Sequence, residues 1–157
     1  MRKQIAAMIF AGAVMMCGVV VSDAQTSRKS VTAAEVNGTF NSKFTGKFKG
    51  SSNEIKILAL GGGKLHIAMS LLFPYMVNGE ASANMGELDA EASIEGDTAI
   101  YESAEFGPCL ITIKFVRLGT IKVTQEGSDA DCGFGHNVMA DGTYNKTSNK
   151  KPKFDDQ

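Results

Sequence analysis

Histidine occurs twice and cysteine three times in the 157-residue chain, and tryptophan is absent. Two histidines, beside cysteines that a disulfide would consume, are too few for the four-ligand shell of a zinc centre. Charge of one sign is not in excess either, with 16 Lys and Arg against 17 Asp and Glu. That balance argues against binding nucleic acid by phosphate neutralisation, which needs a basic surplus. No HExxH, nucleophile elbow or phosphate-cradling loop occurs. Gly61-Gly62-Gly63 follows one alternating run and opens another, so no helix N-terminus is offered to a phosphate. Helical periodicity is missing as well. What remains is 43% hydrophobic residues, too many for a disordered chain, on a length that suits one domain.

The long apolar run is N-terminal. Arg2 and Lys3 precede an apolar stretch from Ile5 to Val21, and Ser22-Asp23-Ala24 places small residues before Gln25. This is the pattern of a cleaved signal peptide over residues 1–24. As a membrane anchor the run would be at the short limit for spanning. Cys17 follows Met15-Met16 and not the small residue of an acylation signal, so lipidation is not expected. Cleavage leaves 157 − 24 = 133 residues, with 14 basic and 16 acidic side chains and a net charge of −2. The product is expected in the periplasm or outside the cell. In that oxidising setting Cys109 and Cys132 read as one disulfide.

The mature chain alternates with period two. Ile55, Ile57 and Ala59 alternate with Glu54, Lys56 and Leu58, and after the glycine turn Leu65, Ile67, Met69, Leu71 and Phe73 do the same up to Pro74. Leu88, Ala90, Ala92 and Ile94 oppose Glu87, Asp89, Glu91 and Ser93. Thr98–Ser103, Cys109–Phe115, Thr120–Gln125 and Val138–Lys146 follow, and Val36–Asn41 with Phe44–Lys49 read as a shorter pair at the front. About eight short strands predict an all-β domain over 34–147, a single antiparallel barrel or barrel-like sandwich. The flanks 25–33 and 148–157 are polar and expected to be loose.

Charge is segregated along this domain. From Arg28 to Lys64 seven basic residues face two acidic ones, and from Glu80 to Glu105 there are eight acidic residues and no basic one. Glu87, Asp89 and Glu91 recur every second residue, so their carboxylates form a row on one strand face. Such a row is either a solvated face balanced by neighbouring lysines or a dock for a basic protein. The loop Ser128–Asn137 interrupts the strands and is tethered through Cys132. It is either a braced crossover with Phe134 on the core or a binding loop presenting Phe134, His136 and Asn137 to a partner. Asp129, Asp131 and Asp141 could supply oxygen ligands, but their spacing matches no EF-hand, and no metal or cofactor is assigned. His66 falls on a polar strand face, and the paired carboxylates lie in an exposed row unlike a glycosidase pair, so a non-enzymatic protein is expected.

A secreted, one-disulfide barrel ending in Ala140-Asp141-Gly142-Thr143-Tyr144 resembles the bacterial periplasmic and lipoprotein inhibitors of c-type lysozyme. The likeness covers the architecture of most of the mature chain, while the family's C-terminal motif is matched only at Gly142 and Tyr144. The motif serine is missing, so that contact residue is not carried over. What the resemblance implies is a loop that enters the lysozyme cleft and hydrogen-bonds its carboxylates. His136, Asn137, Thr143 and Tyr144 have the donors for this, and the acidic row would attract a basic enzyme. Two alternatives stay open: a calycin-like carrier of a small apolar ligand, which needs a hollow barrel, and a structural envelope protein.

Overall fold

The computed structural model describes residues 30–154, so the signal expected over 1–24, with Cys17 and the cleavage point, lies outside the described residues. The alternation closes into a barrel. Strands β1 (Gly38–Lys43), β2 (Ser52–Gly61), β3 (Lys64–Val77), β4 (Glu80–Glu95), β5 (Thr98–Ser103), β6 (Cys109–Arg117), β7 (Thr120–Glu126) and β8 (Gly142–Ser148) follow one another around it. Each pairs antiparallel with the next, and β8 returns to β1.

Inward residues of every strand meet on the axis. Phe40, Ile55, Ile57, Leu65, Ile67, Leu71, Ile111, Ile113, Ile121 and Tyr144 are all essentially removed from solvent. Phe40 and Phe115 meet edge to face, with ring centroids 6.4 Å apart. Each large apolar side chain so buried contributes roughly 1.5–3 kcal/mol. Ala92 and Ala99 are buried among them, the small residues that a tight barrel interior requires. Side chains therefore occupy the space where a carrier would hold its ligand.

Three expectations need correction. Phe44–Lys49 is not a strand: Gly46–Phe48 forms a single 3-10 turn, and β1 pairs with β2. β3 does not end at Pro74 but runs on to Val77, opposite Glu80. The two-residue turn Asn78-Gly79, with φ of 50° and 89°, makes Val77 and Glu80 the hydrogen-bonded closing pair. Alternation then leaves Pro74 in a non-hydrogen-bonded pair, its nitrogen towards the free edge, so the missing N–H costs no ladder bond. The last strand starts at Gly142 and not Val138, although Val138 and Ala140 are buried. Within the described residues, parts of both flanks touch the barrel. Val31 N–H donates to the Gly96 carbonyl at 3.1 Å, and Thr32 caps the one-turn helix α1 (Ala33–Val36) in a capping box with Glu35. At the other end Phe154 lies on the barrel wall.

Lys146 of β8 fastens α1 to the barrel. Its ammonium donates to the carbonyls of Ala34, Glu35 and Asn37 at 3.2, 2.6 and 2.9 Å and sits 5.1 Å above the Phe40 ring. Desolvation lowers the Lys146 pKa from its ordinary value, although Glu35 opposes the shift.

Candidate functional site

The β3–β4 hairpin is longer than the barrel that carries it. β2 accompanies β3 only as far as Ser70, and β5 accompanies β4 only from Ser93 onward. Residues 71–86 therefore project as a two-stranded ribbon. On its outward face the register places Leu72 opposite Met85, Pro74 opposite Ala83 and Met76 opposite Ala81. None of these six carries a charge, and Met76 and Met85 are 41% and 56% exposed. The other face of the ribbon shows Phe73 and Val77, also exposed.

Nearer the barrel the same outward face turns acidic. Ser70 lies opposite Glu87, Ala68 opposite Asp89 and His66 opposite Glu91. Strand twist makes the polar contacts diagonal: Lys64 Nζ reaches Glu91 Oε2 at 2.9 Å, and His66 Nε2 lies in hydrogen-bond contact with Asp89 Oδ1 at 2.5 Å. The next diagonal step would bring Ala68 to Glu87, and alanine has nothing to offer. Among the described residues Glu87 has no ion pair, and Glu54 beyond it faces Lys56 at 3.9 Å. The row is thus partly balanced by its neighbours, and its uncompensated end adjoins the uncharged ribbon. Exposed pairs of this kind add little stability, about 0–1 kcal/mol each.

The disulfide joins Cys109 at the start of β6 to Cys132 in the segment between β7 and β8. This loop is satisfied from within. Asp129 accepts the N–H groups of Asn137 and Ala130, and Asp131 accepts the N–H and hydroxyl of Ser128. Those bonds hold both carboxyls below the usual aspartate pKa; at Asp129 the Asn137 amide has the largest effect. Asp141 instead accepts the Gln125 N–H. The three aspartates serve separate amides, and no group of three metal-ligating side chains occurs among the described residues.

The loop also clasps the ribbon. Gly135 N–H donates to the Met85 carbonyl at 2.9 Å, and Asn84 Nδ2 donates to the His136 carbonyl at 2.7 Å. His136 and Asn137 stand exposed beside the ribbon, Asn137 with φ of 62°. Phe134 points the other way, 7% exposed and packed on Gly86, so it is an anchor and not a contact surface. Tyr144 is fully buried and its hydroxyl donates to the Ala140 carbonyl at 3.0 Å, which leaves it nothing to give a partner. Thr143 is exposed but pairs with Lys122 of β7, on strands that do not adjoin the hairpin.

The structure therefore joins Glu87, Asp89 and Glu91 to a ribbon tip that alternation ending at Pro74 does not reveal. The Asn78-Gly79 dipeptide between apolar runs was the available signal for it. No protein-family model, no curated protein and no solved structure matches the chain.

Proposed function

We propose that the chain is an exported, non-enzymatic binding protein that captures a basic protein on the outward face of the β3–β4 hairpin. The observation that carries this reading is the continuity of that face, where the uncharged pairs 72/85, 74/83 and 76/81 run directly into the carboxylates of Glu87, Asp89 and Glu91. An apolar centre bordered by charge is the anatomy of a protein interface. The carboxylates would steer a basic partner, and the ribbon would retain it. His136 and Asn137 border the same region. A disulfide suits the oxidising compartment that an exported protein occupies. Cell-wall hydrolases of the lysozyme class are basic and are the first partners to test. The filled interior favours this reading over the calycin-like carrier.

The mature chain at micromolar concentration should bind and inhibit a c-, g- or i-type lysozyme, more weakly as salt is raised. Reversing Glu87, Asp89 and Glu91 to Lys should slow association, whereas Met76→Ser with Met85→Ser should speed dissociation. Absence of binding to all three lysozyme types removes the partner assignment. Binding indifferent to salt and to the charge reversal removes the acidic row from the interface.

A further inference from the structure

Part of the acidic wall is covered by Phe154 of the protein's own C-terminal segment. Beyond β8 the chain continues as Asn149-Lys150-Lys151-Pro152-Lys153-Phe154. It forms no strand, and Lys150 N–H donates to the nearby Ser148 hydroxyl at 3.2 Å. Pro152 and Phe154 are half-buried, while Lys151 and Lys153 between and before them are exposed. The Phe154 ring lies flat on His66, with centroids 3.8 Å apart and planes inclined by 13°. A cleft beside the ring is lined by Glu54, Lys56, Ser70, Glu87, Asp89 and Phe154 itself. Phe154 of a segment with three lysines thus rests on the wall; none of those lysines forms an ion pair among the described residues, and the sequence continues as Asp155-Asp156-Gln157.

We infer that this wall recognises an extended basic segment bearing an aromatic side chain, and that residues 149–154 are an intramolecular copy of that ligand. The inference rests on the binding face proposed above and names what the face reads. His66 supplies the stacking platform, held in place by Asp89. The carboxylates of Glu54, Glu87 and Asp89 outnumber the one lysine of the cleft, Lys56, and supply a field that favours cations over the wall without fixing each lysine in one geometry. The short tether gives the tail an effective concentration in the millimolar range. A weak intrinsic affinity is therefore enough to keep the wall covered, and a partner must displace the strap before it docks. Stacking without backbone pairing suits such a role, because it is released without unfolding a strand.

The test uses the full mature chain, its Phe154→Ala variant and a labelled peptide with the sequence of residues 149–154. Stacking should shift the His66 ring protons upfield in the parent chain, and Phe154→Ala should abolish that shift. The peptide should bind Phe154→Ala at least about fivefold more tightly than the parent, because the competing tail has lost its anchor. Adding Asp89→Lys to Phe154→Ala should abolish peptide binding, with circular dichroism confirming that the barrel is retained. Equal peptide affinity for parent and Phe154→Ala, or unchanged His66 ring shifts, overturns the inference. If these results hold and lysozymes do not bind even Phe154→Ala, the strap stands and only the partner assignment falls.

Discussion

The ring of Phe134 rests on the bare Cα of Gly86, so close that a methyl group added there would lie 2.9 Å from two ring carbons and from Val138. Gly86 is an inward position of β4 at the root of the ribbon, opposite Leu71. The absence of a side chain is what lets the disulfide-tethered loop seat itself against the hairpin.

Gly86→Ala should therefore push the loop off the ribbon. Overpacking of this kind costs about 1–3 kcal/mol. The measurement is hydrogen exchange at Gly135, whose N–H bonds to the Met85 carbonyl, together with the urea midpoint. Unchanged protection at Gly135 would show that the loop does not depend on this contact.

Tyr144 should limit stability at alkaline pH. Burial pushes its phenol up from 10.0 to about 12, with Asp141 adding to the shift and an Asn53 hydrogen bond opposing it. The folded state thus holds a proton that the unfolded chain releases earlier. The associated stability is fully present below pH 10 and is lost as pH rises through about 12. The loss is on the order of 3 kcal/mol. Tyr144→Phe should cost about 1–2 kcal/mol at neutral pH, because the Ala140 carbonyl loses its donor, but should flatten the alkaline limb. Urea titrations between pH 8 and 12 decide this, and parallel curves for parent and variant would refute it.

Removing the disulfide should destabilise the barrel without reordering it. The cysteines are 23 residues apart, and opening a loop of that length costs about 3 kcal/mol on the chain-entropy estimate. Cys109→Ala with Cys132→Ala should lower the urea midpoint while the far-ultraviolet spectrum keeps its β signature. Loss of that signature under native conditions would make the cross-link a requirement for folding.

Much of the barrel is legible as alternation because each strand has one face in the core and one in water. Ile111, Ile113 and Phe115 against Thr112, Lys114 and Val116 show this plainly, and the structure buries the first set. Alternation misleads where burial arises otherwise. Val138 and Ala140 are two apart and buried, yet they belong to a loop folded onto the hairpin. Pro74 reads as a strand end only if its nitrogen faces a neighbour, and here it faces an open edge. The acidic row needs no partner strand to be seen, since period two alone aligns Glu87, Asp89 and Glu91. Its pairing with Lys64 and His66 depends on register between strands, which a linear pattern does not encode.

The clamp that Lys146 places on α1 has a bearing on the order of assembly. Its bond to the Asn37 carbonyl spans 109 residues, and Lys146 also stands opposite Phe40 in the seam that joins the first strand of the barrel to its last. A chain made from its N-terminus can zip β2 through β7 by neighbour-to-neighbour hairpins, each a local step. β1 meanwhile keeps one bare edge until β8 has been synthesised, and the seam closes only then. Closing so large a loop places this event among the slow, non-local steps of β-protein folding. A nascent chain halted before Lys146 would carry seven strands and an unsealed side, the form most open to pairing with another chain.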